Sequence, residues 1–141
     1  MLFSRNQKKP LSPTRPEARS LQRLIRLLGR QGQKLCEKFL RAKGYKTLTR
    51  NFSCRMGEID LVMMDNDAVV FVEVKARTNE AFADAEAAVT KAKQVRMTRA
   101  ANLFIKKHKL ENLPLRFDVV ILITDGKTKP QIRHYENAFV P

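Results

Sequence analysis

Two apolar runs, "AVVFVEVKAR" at 68–77 and "RFDVVILIT" at 116–124, set the tightest limit on the fold. Each has the length of a buried strand, and neither approaches the roughly 20 apolar residues of a membrane-crossing helix. Between them, Glu86 to about His108 has helical spacing, in one or two pieces, with Met97, Ala101, Phe104 and Ile105 on one face. A helical crossover of that length sets the two strands parallel in one sheet. Upstream, Tyr45–Arg55 and Glu58–Met64 read as two further strands. They are joined by a turn at 55–57, where Gly57 is free to take a positive φ, and "DND" at 65–67 makes the next hairpin turn. Thr78–Asp84 reads as a loop, and Gln131–Tyr135 as a short edge strand. Before the strands the spacing gives a short leading helix from Leu21, interrupted by Gly29 and Gly32, then a main helix over 32–43 stopped by Gly44. The order α-β-β-β-α-β-β defines an α/β protein with a mixed central sheet flanked by helices.

One core suffices for a chain of 141 residues. Residues 1–20, with Pro10, Pro13 and Pro16 among basic residues, read as a mobile tail, and residues 21–141 as a single domain. The tail lacks the apolar run of a secretory signal, so a cytoplasmic protein with Cys36 and Cys54 reduced and packed is expected, and no membrane partner. Lys and Arg total 28 against 14 acids, a net charge of +14. Residues 91–109 hold seven cations and no acid, forgoing the i,i+4 ion pairs of an ordinary solvated helix. That imbalance points to nucleic acid, with Lys91, Lys93, Arg96 and Arg99 as candidate contacts.

Three charges stand in the apolar hairpin. Alternation puts Val69, Phe71, Glu73 and Lys75 on one face of the third strand. In the second strand it groups Ile59 with Leu61 and Met63, and Glu58 with Asp60, Val62 and Met64. Hairpin pairing across 65–67 then brings Asp60 near Glu73 and Lys75. A lone buried Glu–Lys pair, or charges at a wet strand end, would be a structural feature only. Two close carboxylates repel unless one is protonated or a cation lies between them. Their oxygens suit Mg²⁺ or Mn²⁺, and a lysine beside such an ion can serve a water or a phosphate.

An acid followed in the next strand by Glu73-Val74-Lys75 resembles the PD-(D/E)XK nuclease superfamily. With "GEIDLV" at 57–62, "VFVEVKAR" at 70–77, "VTKAKQ" at 89–94 and "RFDVV" at 116–120, the chain from about Gly29 to Phe139 is similar to the YraN-like family of small bacterial proteins. That family is itself similar to archaeal Holliday-junction resolvases. The resemblance implies a restriction-endonuclease-like fold and a metal-dependent endonuclease acting on DNA, branched or damaged DNA included, as a homodimer. The alternative is a catalytically impaired nucleic-acid-binding module of the same fold.

The resemblance further implies that Asp60 and Glu73 bind Mg²⁺ or Mn²⁺ with the backbone carbonyl of Val74, and that Lys75 serves the water or phosphate. The family's first helix carries Gly-Glu where this chain has Gly32-Gln33, so an amide replaces a carboxylate. Glu37, one turn on, is placed to substitute or to pair with Arg41, and the pair is expected. Lys93 and Gln94 face the active-site end or lie on ordinary helix surface. Glu58 is either a neighbour of the metal ligands or a partner of Arg55 or Arg77. Arg116 and Asp118 read as structural, His108 and His134 as surface residues, and Tyr45 and Phe52 as packed against the first helix.

Overall fold

A computed structural model describes residues 15–77, 88–125 and 128–141, with the side chains of the first helix described from Gly29 onward. The elements are α1 (Arg15–Ala42), β1 (Lys46–Cys54), β2 (Gly57–Asp65), β3 (Ala68–Arg77), α2 (Lys91–Lys107), β4 (Leu115–Ile123) and β5 (Gln131–Tyr135). One five-stranded sheet runs β1-β2-β3-β4-β5. Its strands are antiparallel except β3 and β4, which the α2 crossover sets parallel. The expected order and class hold, and this is the restriction-endonuclease-like arrangement. The expected loop at Thr78–Asp84 and the start of the second helix at Glu86 lie outside the described residues.

β3 is the central strand and is buried on both faces. Val70 and Val72 join Leu61, Met63, Val120 and Leu122 under Cys36 and Leu40 of α1. Val69 and Phe71 join Val62, Phe117, Val119 and Ile121 under Met97, Ala100, Ala101, Phe104 and Ile105 of α2. The two helices therefore cover opposite faces of the sheet, as a period-2 strand with two apolar faces requires.

α1 is one unbroken helix, not a short helix followed by a longer one, and it begins inside the segment read as tail. Glycine in a helix interior costs roughly 1 kcal/mol relative to alanine and does not by itself break it. Gly32 has a reason to be there: a Cβ would meet Leu122 Cδ2 at 3.1 Å, so this turn presses directly onto β4. The helix ends as expected at Gly44, whose φ is +99°. Tyr45 N–H donates to Leu40 O and Gly44 N–H to Arg41 O, the double bond of a Schellman close.

Gly57 corrects its expectation. Its φ is not positive; among the described glycines only Gly44 has that conformation. A Cβ on Gly57 would lie 3.0 Å from Arg96 O, so glycine is required by the approach of the α2 backbone. The neighbouring hairpin closes on Asn66 at φ +51°, with Asp65 paired to Ala68. Strand alternation also fails in one place. Ile59 buries with the α2 cluster, while Leu61, two residues on, buries with the α1 cluster. The strand turns over at Asp60, opposite an edge-strand residue, Asn51, held at φ +52°.

Candidate active site

That reversal is where the site begins. The β2–β3 ladder runs from Asp65–Ala68 to Leu61–Val72. One step further the Asp60 side chain enters the ladder, and Val74 N–H donates to its Oδ2 at 2.8 Å. The Asp60 backbone carbonyl is met from α1, where Gln33 Nε2 donates to it at 3.3 Å. Asp60 is thus fixed from both sides, between the central strand and the first helix.

Glu73 lies on β3 with 3 % of its surface exposed. Its Oε1 is 3.1 Å from Lys75 Nζ on the same strand face and 3.5 Å from Lys93 Nζ on α2. Its Oε2 is buried with no hydrogen-bond partner. A buried carboxylate oxygen left unpaired costs on the order of 1–3 kcal/mol or more. Burial and the charge of Glu73 push the Asp60 carboxyl up to about 6, against the pull of the Val74 N–H, Lys93 and Lys75. Two carboxylates that feel each other's charge, one with an unpaired oxygen, form a charge arrangement that a cation would complete.

Lys93 reaches this cluster because of how α2 starts. Thr90 caps the helix with an extended backbone, its Oγ1 accepting from Lys93 N–H at 3.2 Å. Gln94, the neighbouring candidate, donates instead to Val89 O at 3.2 Å and so braces the same turn. The structure brings Lys75 and Lys93 onto Glu73, which settles Lys93 at this end of α2 and not on ordinary helix surface, and binds Gln33 to the Asp60 backbone.

The other candidates lie outside the Asp60–Glu73–Lys75–Lys93 cluster. Glu37 is buried and takes Arg50 through both carboxylate oxygens, at 2.6–3.0 Å, with Thr47 Oγ1 donating at 2.9 Å. Its expected partner Arg41 makes no ion pair with it, because β1 folds back against α1 and supplies a better-placed guanidinium. The Arg50 bond holds the Glu37 carboxyl below its ordinary range. No third carboxylate joins Asp60 and Glu73: among the described residues no group of three or more Asp, Glu, His or Cys is arranged to hold a metal. Glu58 is exposed across from Ser53, away from this centre. Lys91, Arg96 and Arg99 are exposed along α2.

His134 is not a surface residue. Its side chain is 2 % exposed, with Nε2 2.7 Å from Asp118 Oδ2 and Nδ1 2.9 Å from Lys43 Nζ. Asp118, fully buried, also takes Arg116 Nε at 2.9 Å and Asn137 N–H at 3.0 Å. Arg116 extends the network to Asp65 and the Tyr45 hydroxyl. Arg116 and Asp118 are structural, as expected, and His134 joins them because β5 pairs Val120 with His134. Tyr45 packs under α1, but Phe52 packs edge-on against Phe104 of α2. Nothing in the sequence marked Arg50 as the partner of buried Glu37 or His134 as the partner of buried Asp118; both depend on edge-strand register.

Fold and site together define a class: a mixed-sheet α/β protein with two carboxylates and a lysine set across adjacent central strands. The description "Uncharacterised protein family UPF0102" matches residues 32–122. A UPF0102 protein of Syntrophomonas wolfei is 47 % identical over 115 residues, covering 81 % of this chain and 98 % of its own. One from Pelotomaculum thermopropionicum is 40 % identical over 116 residues, covering 81 % and 96 %. One from Geotalea uraniireducens is 39 % identical over 112 residues, covering 79 % and 88 %. The chain belongs to the UPF0102 family, the YraN-like family its motifs resemble. Among the described residues no helix is long and apolar enough to cross a membrane.

Proposed function

We propose that this protein is a metal-dependent endonuclease that hydrolyses phosphodiester bonds in DNA. The observation that carries the reading is the unpartnered, buried Glu73 Oε2, on a carboxylate whose charge is felt by Asp60 and whose other oxygen is held by two lysines. Hard oxygen donors in low number fit Mg²⁺ or Mn²⁺, which keep several waters and borrow oxygens from a phosphate. Asp60, Glu73 and the Val74 carbonyl would hold the ion. When bound, it supplies charge stabilisation at the phosphate and a more acidic water.

The chain's own groups do the rest. Lys75 and Lys93 set positive charge beside the position where a phosphate would sit, and Lys75 can orient a water or take its proton. Asp60 fixes the Val74 peptide through its N–H, which positions the strand carrying Glu73 and Lys75. The net charge of +14 favours a polyanionic substrate.

A second reading is a nucleic-acid-binding module of the same fold with an impaired centre. Gln33 favours it, because the first helix brings an amide donor rather than a carboxylate to Asp60. One experiment separates the two. Nicked, flapped, four-way and linear DNA are incubated with protein in Mg²⁺, Mn²⁺ or EDTA. Cleavage that requires metal and is lost in Glu73→Gln, with binding retained, supports the nuclease. Binding without cleavage on every substrate supports the impaired module, and neither binding nor cleavage rejects both.

A further inference from the structure

The cations at the catalytic centre are few, and most of the chain's described positive charge lies elsewhere. Arg30, Lys34, Lys38 and Arg41 of α1, with Lys46 and Arg50 of β1, line three adjoining depressions that share Arg50, a groove between the first helix and the edge strand. Its single described acid is Glu37, which Arg50 neutralises. Arg30, Lys34, Lys38, Arg41 and Lys46 make no ion pair among the described residues.

The spacing on α1 is costly. Arg30, Lys34 and Lys38 follow one another at i,i+4, where like charges repel and destabilise a helix. Arg41, in the last turn, is favoured there by the helix dipole, but Arg30 and Lys34 are too far from that end to share the benefit. The one acid in the groove faces β1 instead of relieving this ridge. A counter-charge from outside the chain would. The groove also joins the proposed centre. Gln33, which donates to the Asp60 carbonyl, lines the same end of it as Arg30 and Asn51.

We propose that the α1–β1 groove carries the sugar-phosphate backbone of a DNA strand to and from the Asp60–Glu73 centre, which rests on the endonuclease reading for the identity of that centre. From Arg30 to Arg41 the helix rises about 16 Å at ~1.5 Å per residue, room for roughly five phosphates of one strand at ~3.4 Å each. The depression offers cations and no exposed aromatic ring, so it holds phosphates without selecting bases.

The test is DNA binding by the full chain in EDTA, measured by fluorescence anisotropy over a range of salt. The triple variant Lys34→Gln, Lys38→Gln, Arg41→Gln removes three cations without lowering helix propensity; relief of the i,i+4 repulsion offsets the lost dipole term of Arg41, so it is expected to fold about as stably as the parent. The slope of log affinity against log salt should fall in magnitude by about 2–3, at ~0.7–0.9 per phosphate contact, with affinity at least about tenfold weaker at low salt. Arg96→Gln with Arg99→Gln on α2 is the comparison. If the α1 variant keeps both affinity and slope while the α2 variant loses them, the groove is overturned and the endonuclease reading stands. If the α1 variant loses binding but the parent cleaves nothing in any metal, the groove stands and the nuclease reading falls. A parent that binds no DNA overturns both.

Discussion

Lys75 Nζ lies 3.1 Å from Glu73 Oε1, two residues back on the same strand, while the other oxygen of that carboxylate is buried without a partner. The lysine neutralises half of the group and leaves half for something else. Removing Lys75 should therefore separate metal binding from chemistry. In Lys75→Met, Mn²⁺ affinity, read by calorimetric titration, should be retained or rise, because a competing cation is gone. DNA cleavage should fall by about 100-fold or more, the scale of a lost acid–base or charge-stabilising group. Glu73→Gln should lose both. Equal cleavage by Lys75→Met and the parent would remove Lys75 from the chemistry.

Asp60 sets a pH dependence on stability in the absence of metal. Its carboxyl is raised from 3.8 to about 6 by burial and by Glu73. A raised acid means that the folded state holds a proton the unfolded chain has released, so stability falls as pH rises from about 4 to 6 and stays low above. The span allows a penalty of about 1–3 kcal/mol at neutral pH. Asp60→Asn keeps an oxygen for Val74 N–H and carries no charge. In urea melts with EDTA it should match the parent near pH 4 and exceed it near pH 7.5. Identical pH profiles for the two proteins would contradict the burial argument.

Two glycines of opposite character check the packing. Gly57→Ala places a methyl 3.0 Å from Arg96 O, which can only yield if α2 moves. A loss of about 1–3 kcal/mol is expected from such overpacking, and Lys93 shifts with the helix. Gly29→Ala on α1 meets nothing within 4 Å and should gain roughly 0.5–1 kcal/mol from helix propensity. Thermal melts of the pair should therefore move in opposite directions.

Much of this arrangement was legible in the sequence, for reasons that are local. The apolar runs at 68–77 and 116–124, the helical crossover and the turn at 65–67 fix the sheet, because strand period and turn chemistry are short-range properties. Asp60, Glu73 and Lys75 followed from alternation plus one hairpin register. What escaped depends on the third dimension. Arg50 reaches Glu37 only once β1 folds against α1, and His134 reaches Asp118 only through the pairing of β4 with β5. Gly57 looked like a turn residue, but its demand comes from a helix backbone 39 positions away in the sequence. The reversal of β2 at Asp60, between Ile59 under α2 and Leu61 under α1, is likewise invisible to a strict period of two.

Gln33 is where the site and the sequence disagree most usefully. Its Nε2 donates to the Asp60 carbonyl, a bond that a glutamate cannot make. Gln33→Glu would remove that donor and bring a third carboxylate toward two that already repel. Without metal the variant should be less stable than the parent, by about 1–2 kcal/mol for the lost bond and added charge. With Mn²⁺ or Mg²⁺ present the order should reverse, because the ion stabilises whichever protein binds it more tightly. Melts in EDTA and in metal, beside Mn²⁺ titration and DNA cleavage, give four readouts. Tighter metal binding with faster cleavage would mean that the missing acid limits this protein. A variant destabilised equally with and without metal would place Gln33 outside the metal site and leave it a brace between α1 and β2.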